Sequence, residues 1–72
     1  MNVGERLRAL REDHDLKQQE VAELLQTTQS YYSKYENGVR PLPIIHLATL
    51  AKYYNVTADY ILGLTNDPRQ IR

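Results

Sequence analysis

The sequence predicts an all-α protein, a compact bundle of five short helices built as one domain. Three observations lead there. Apolar residues recur at three- and four-residue spacing in successive stretches, and no stretch carries the alternating pattern of a strand. The stretches are punctuated by residues that stop helices: Gly38, the Pro41-Leu42-Pro43 bracket, Asn55 and Gly63. A chain of 72 residues removes only about 60% of its unfolded surface from water, so its helices must share one small core.

The first helix is expected from about Asn2 to Asp13, where Val3, Leu7 and Leu10 recur at helical spacing with Arg6, Arg8 and Arg11 between them. Glu12-Asp13-His14-Asp15 breaks that pattern, as short polar residues do in turns. Leu16 precedes a second helix, Gln18 to Leu25, whose buried side is Val21, Ala22, Leu24 and Leu25. Two turns do not persist alone, so neighbours must hold it. After a break at Gln26-Thr27, Thr28 suits the N-cap of a third helix, which Gly38 ends as a C′ glycine. Pro43 suits the first position of a fourth helix, with Ile44, Leu47, Leu50 and Ala51 repeating along it and Asn55 ending it in the left-handed conformation. Thr57 suits the N-cap of the fifth, Asp59 falls in its first turn where the helix dipole favours a carboxylate, and Gly63 closes it. The domain is expected to span residues 1–65, with residues 66–72 a polar tail of low order.

Nine Lys and Arg balance nine Asp and Glu. That balance argues against a generic nucleic-acid coat, since such domains often exceed a pI of about 9. Any DNA binding therefore requires segregated charge. Arg6, Arg8, Arg11, Lys17, Lys34 and Arg40 fall in the first forty positions, while Glu12, Asp13 and Asp15 make a separate acidic corner. With no cysteine there is neither a disulfide framework nor a thiolate metal site, and His14 and His46 are too few to hold a metal. The chain begins with a charged, amphipathic stretch, and no apolar run approaches the roughly 20 residues that cross a bilayer. A soluble, cytoplasmic protein without cofactor or membrane partner is expected. It is not expected to be an enzyme: Ser30 or Ser33 with His46 and an Asp makes a triad only on paper, lacking a nucleophile elbow, a Gly-rich phosphate loop or a ligand cluster.

The most informative stretch is the third helix. At about 100° per residue Tyr32 and Tyr35 point one way, Ser30, Ser33, Lys34 and Asn37 cluster roughly opposite, and Gln29 lies at the edge. Small hydrogen-bonding groups and one cation suit a DNA major groove. Together with the second helix this is the outline of a helix-turn-helix at about residues 18–37.

The residues of this stretch, LKQQEVAELLQTTQSYYSKYENGVR, resemble the helix-turn-helix of the phage Cro and repressor family, also called the xenobiotic-response-element type. The matching positions are Leu16, Gln18, Glu20, Val21, Ala22, Leu25, Thr28, Gln29, Ser30, Tyr35, Glu36, Asn37 and Gly38. LATLAKYYNVTADYILG, from Leu47 to Gly63, is similar to the fourth and fifth helices of that family, and Leu7, Leu10 and Arg11 match its first. The resemblance covers about Val3 to Leu64. It implies a lambda-repressor-like DNA-binding fold and a sequence-specific transcriptional regulator, a repressor, that inserts its third helix into the major groove of a palindromic operator in double-stranded DNA. One module touches few base pairs, so a homodimer is implied, with recognition helices about 34 Å apart.

Carried over position by position, the resemblance implies that Gln18 binds a phosphate and that Thr28, Gln29, Ser30 and Lys34 face the bases. Gln29 can make the bidentate contact to adenine, and Lys34 can serve guanine or a phosphate. Tyr31, between the two faces, is counted with the base contacts. Thr27, Ser33, Asn37, Arg40 and Arg11 are assigned to phosphates, and Arg11 with Glu36 to an ion pair joining the first helix to the end of the third. Leu42, Val56, Tyr60 and Leu64 are the implied dimer contacts.

Two positions depart from the family pattern. The family has Ser or Thr at the position of Lys17, whose side chain cannot accept the N–H that completes a capping box with Glu20. It has Gly at the position of Gln26, which is strained if its φ is positive. Near-zero net charge and Tyr31 also leave open a rival reading: the same fold serving as a protein-interaction module, such as an antitoxin or docking domain, with a protein partner. The chain also suits the DNA-binding part of a longer repressor.

Overall fold

The computed structural model describes residues 1–69, so Gln70, Ile71 and Arg72 of the expected tail lie outside the described residues. Within them five helices follow one another: α1 (Val3–Asp13), α2 (Gln18–Leu24), α3 (Gln29–Glu36), α4 (Ile44–Tyr54) and α5 (Ala58–Ile61). The all-α expectation stands, with boundaries shifted by a residue at several ends.

All five helices end in the same way. Just past each lies a residue with positive φ, in order Asp15, Gln26, Gly38, Asn55 and Gly63. The next residue then donates its amide back across the last turn: Leu16 to the Arg11 carbonyl, Thr27 to Ala22, Val39 to Lys34, Val56 to Ala51 and Leu64 to Asp59, all at 2.9–3.0 Å. These 6→1 bonds satisfy carbonyls that the helix ends would otherwise leave orphaned, and they turn the chain sharply enough for short helices to pack.

The helix starts are less uniform. Asn2 is the N-cap of α1 rather than its first residue: its Oδ1 accepts from the Glu5 amide at 2.8 Å, and its own amide donates to Glu5 Oε1 at 3.0 Å, a complete capping box. Thr28 and Thr57 cap α3 and α5, accepting from the amides of Tyr31 and Tyr60 at 3.1 and 3.0 Å. At Lys17 half of the box survives: the Lys17 amide donates to Glu20 Oε1 at 2.8 Å, and an ammonium cannot return the bond. Pro43 sits one residue before α4, at the N-cap with ψ 149°, rather than at the first helical position expected for it, and Ile44 opens the helix.

Tyr32, Leu7, Leu50, Ile61 and Val21 are fully buried at the centre. α2 packs against α3, α1 against both α3 and α5, and α4 against α5. The α1/α3 crossing is close enough that Gly4 has no room for a side chain, since a Cβ there would meet the carbonyls of Glu36 and Tyr35. Two residues placed in the core by spacing are exposed. Leu24 closes a two-turn helix, and Ile44 opens α4 well ahead of Leu50 and Tyr54, where that helix is buried. The tail begins in place rather than loose: Arg6, 4% exposed, lies 3.9 Å over the Tyr60 ring and donates from Nη2 to Asn66 Oδ1 at 3.1 Å. A buried guanidinium must find acceptors, and Asn66 is one.

Candidate nucleic-acid interface

α3 is fixed by its aromatic face. Tyr32 is 0% and Tyr35 4% exposed, as their angular positions predict. Their rings meet edge to face at 6.1 Å, an arrangement that orients as well as buries them. With that face committed to the core, Thr28, Gln29, Ser30 and Asn37 are exposed, while Thr27, Ser33 and Lys34 are half-buried. Thr28 spends its oxygen on the cap, and the Ser33 hydroxyl donates to the Ser30 carbonyl at 3.0 Å.

The end of α3 is tied to α1 and α2 through Glu36, whose side chain is 1% exposed. Arg11 donates to it twice, Nε to Oε2 at 2.7 Å and Nη2 to Oε1 at 3.1 Å, and sends Nη1 to the Leu16 carbonyl at 3.0 Å. Gln18 Nε2 donates to Glu36 Oε1 at 3.1 Å. Burial disfavours the carboxylate charge, but the Arg11 hydrogen bonds, with help from Gln18, outweigh it and hold the Glu36 carboxyl below its ordinary pKa. The implied ion pair is thus present and bidentate. Its geometry also leaves Arg11 little surface for a phosphate, with only 12% of the side chain exposed. The solvent-facing cation at this end is Arg8, 59% exposed and 3.8 Å from Glu36 Oε1. Sequence reasoning left Arg8 out, although it precedes Arg11 by one helical turn and so shares its side of α1.

Beyond the helix, Gly38 at φ +76° turns the chain so that the Arg40 amide reaches the Lys34 carbonyl at 3.2 Å. Lys34 Nζ and Arg40 Cζ come to 5.3 and 5.8 Å from the centroid of Tyr31, a ring 38% exposed that also meets Tyr35 edge-on at 5.7 Å. Neither cation makes a salt bridge among the described residues. Of the implied dimer contacts, Leu64 is 73% exposed and Leu42 half-buried, while Val56 is 6% exposed in the core and Tyr60 lies under Arg6.

Among the described residues, no helix is long and apolar enough to cross a membrane, and no three His, Cys, Asp or Glu side chains group as a metal site would require.

Two short helices joined by a tight turn, the second with its aromatic face buried and its polar face free, define a helix-turn-helix protein. The chain belongs to the helix-turn-helix family, whose model matches residues 7–61. It is 44% identical over 64 residues to the uncharacterized HTH-type transcriptional regulator YobD of Bacillus subtilis, covering 89% of this chain and 57% of that protein. It is 36% identical over 63 residues to the HTH-type transcriptional regulator ImmR of the same organism, covering 88% and 50%. The chain thus spans about half the length of these relatives. Among solved structures, a transcriptional regulator from Listeria innocua superposes with a TM-score of 0.84 at 27% identity, covering 99% of this chain and 64% of that one. The P22 c2 repressor, solved with a synthetic operator, has the same fold, with a TM-score of 0.78 at 24% identity and coverage of 86% and 94%.

Proposed function

We propose that this chain is the DNA-binding part of a transcriptional regulator, a repressor that places α3 in the major groove of a palindromic operator. The observation that carries this reading is the division of α3: Tyr32 and Tyr35 are spent on the core, leaving Thr28, Gln29 and Ser30 exposed together at its N-terminal end. Gln29 is the principal base contact, with the Thr28 methyl and the Ser30 hydroxyl beside it. Tyr31 and Lys34 extend the same surface. Gln18, tethered to Glu36 by one amide proton, keeps its second for a phosphate and so sets register rather than sequence. Thr27, Ser33, Asn37 and Arg40 supply further backbone contacts, with Arg8 taking the outward role for which Arg11 is too buried. A second copy docks through Leu42 and Leu64, assisted by Val39, Ile44 and Ile45, which are 68, 83 and 71% exposed. The role is binding, without catalysis.

Selection of binding sites from random DNA, followed by footprinting, tests this. The expected product is a palindrome whose half-sites are centred about 34 Å apart. Gln29→Ala should relax the preference at one base pair per half-site by about 1–3 kcal/mol while leaving thermal stability nearly unchanged. A folded chain that selects no sequence at low salt would sink the proposal.

A further inference from the structure

We infer that Tyr31, Lys34 and Arg40 form a clamp for a single DNA phosphate in each half-site, so that Lys34 reports on the backbone and not on a base. The inference rests on the DNA-binding reading above and sharpens it. Gly38 carries the chain back on itself, and the Arg40 amide bonds to the carbonyl of Lys34. Two cations that are six residues apart in sequence are thereby anchored to the same peptide group. Both side chains then converge on the face or rim of Tyr31, one turn earlier on α3, within 6 Å of its centroid. The ring is held in turn by the buried Tyr35. Its π-cloud attracts both cations, yet they repel each other, and among the described residues no carboxylate lies within 4.0 Å of either. A phosphate oxygen meeting both charges would relieve that repulsion. Gln29 and Ser30 lie on the more N-terminal part of the exposed surface, whereas this trio is continuous with the loop that leaves the helix, where a docked recognition helix meets the strand bordering the groove. Tyr31 is a positioning residue that aims two cations.

The test uses the selected operator with single phosphates replaced by neutral methylphosphonates. Wild type should lose affinity at one position per half-site, and the Lys34→Ala and Arg40→Ala variants should each respond less at that same position. The double variant should be indifferent to the replacement. For each bound copy, the salt slope of log affinity should fall by about 0.9 per cation removed, so the double variant should lose about twelvefold less affinity than wild type between about 50 and 200 mM salt. Relative affinities across operators with single base changes should be retained. Tyr31→Leu should weaken wild type about two- to fivefold and have no effect in the double variant. If Lys34→Ala changes the preference at a base pair with the salt slope intact, or if the two cations map to different phosphates, the clamp is wrong while the regulator stands. A chain that binds no DNA overturns both.

Discussion

Replacing Arg11 with Met removes a guanidinium while keeping most of its aliphatic length, which isolates the charge that neutralises Glu36. In the native chain this carboxylate receives two bonds from Arg11, at 2.7 and 3.1 Å, and one from Gln18, with 1% of its side chain exposed. After the change Glu36 keeps the Gln18 amide and the more distant Arg8, at 3.8 Å. Stranding one partner of a buried pair costs about 3–5 kcal/mol. At about 0.05–0.15 kcal/mol per residue a domain of this size holds roughly 4–11 kcal/mol in all, so the loss is about a quarter of the total or more. At about 4–8 °C per kcal/mol, Tm should fall by at least about 12 °C. Thermal unfolding followed by circular dichroism measures that shift and urea unfolding the free-energy loss, and Glu36→Met in the same chain should recover at least half of the loss, because the stranded charge is then gone.

The same pair fixes the pH dependence. The folded pKa of Glu36 lies below its ordinary 4.5, so its contribution is complete above that value and is lost as pH falls through the lowered one. In Arg11→Met burial acts without its counterweight, so Glu36 takes up a proton earlier and the deficit relative to wild type should shrink as the solution is acidified. A deficit under about 1 kcal/mol at neutral pH, or one that grows on acidification, would refute the account.

Three further changes separate effects of packing from effects of backbone. Gly4→Ala drives a methyl into the carbonyls of Glu36 and Tyr35 and should cost about 1–3 kcal/mol in chemical denaturation, since backbone does not yield as a flexible side chain does. Gly38→Ala meets nothing within 4 Å but keeps φ at +76°, so its cost should be the left-handed strain alone, about 1–2 kcal/mol, together with weaker DNA binding as Arg40 shifts. Gln26→Gly works in the opposite sense: with φ at +59° the native residue is strained, and its urea midpoint should rise by the equivalent of up to about 1 kcal/mol after glycine's greater chain entropy is offset.

What could be read from the sequence follows from how local each signal is. Gly38, Asn55 and Gly63 are residue types that favour positive φ, and they mark three helix ends on sight; Asp15 adopts the same backbone, yet Asp occurs in turns of every kind and singles out none. Asn2 and Glu5 have the spacing of a capping box, a signal as local as the glycines, which sets the start of α1 at Val3. The Tyr32 and Tyr35 face needed only an angle. Arg6 needed Tyr60 and Asn66, which periodicity along one helix cannot see. The zero net charge misleads for a related reason. Between Glu23 and Asp59 the only acidic residue is Glu36, and the fold turns it inward against Arg11. The half-buried Lys34 and the exposed Arg40 therefore lie in a stretch with no exposed carboxylate, although acids and bases balance over the whole chain. A polyanion responds to the potential at a face rather than to a sum over residues, so burying one acidic side chain would do for the proposed interface what an excess of basic residues does for a larger one.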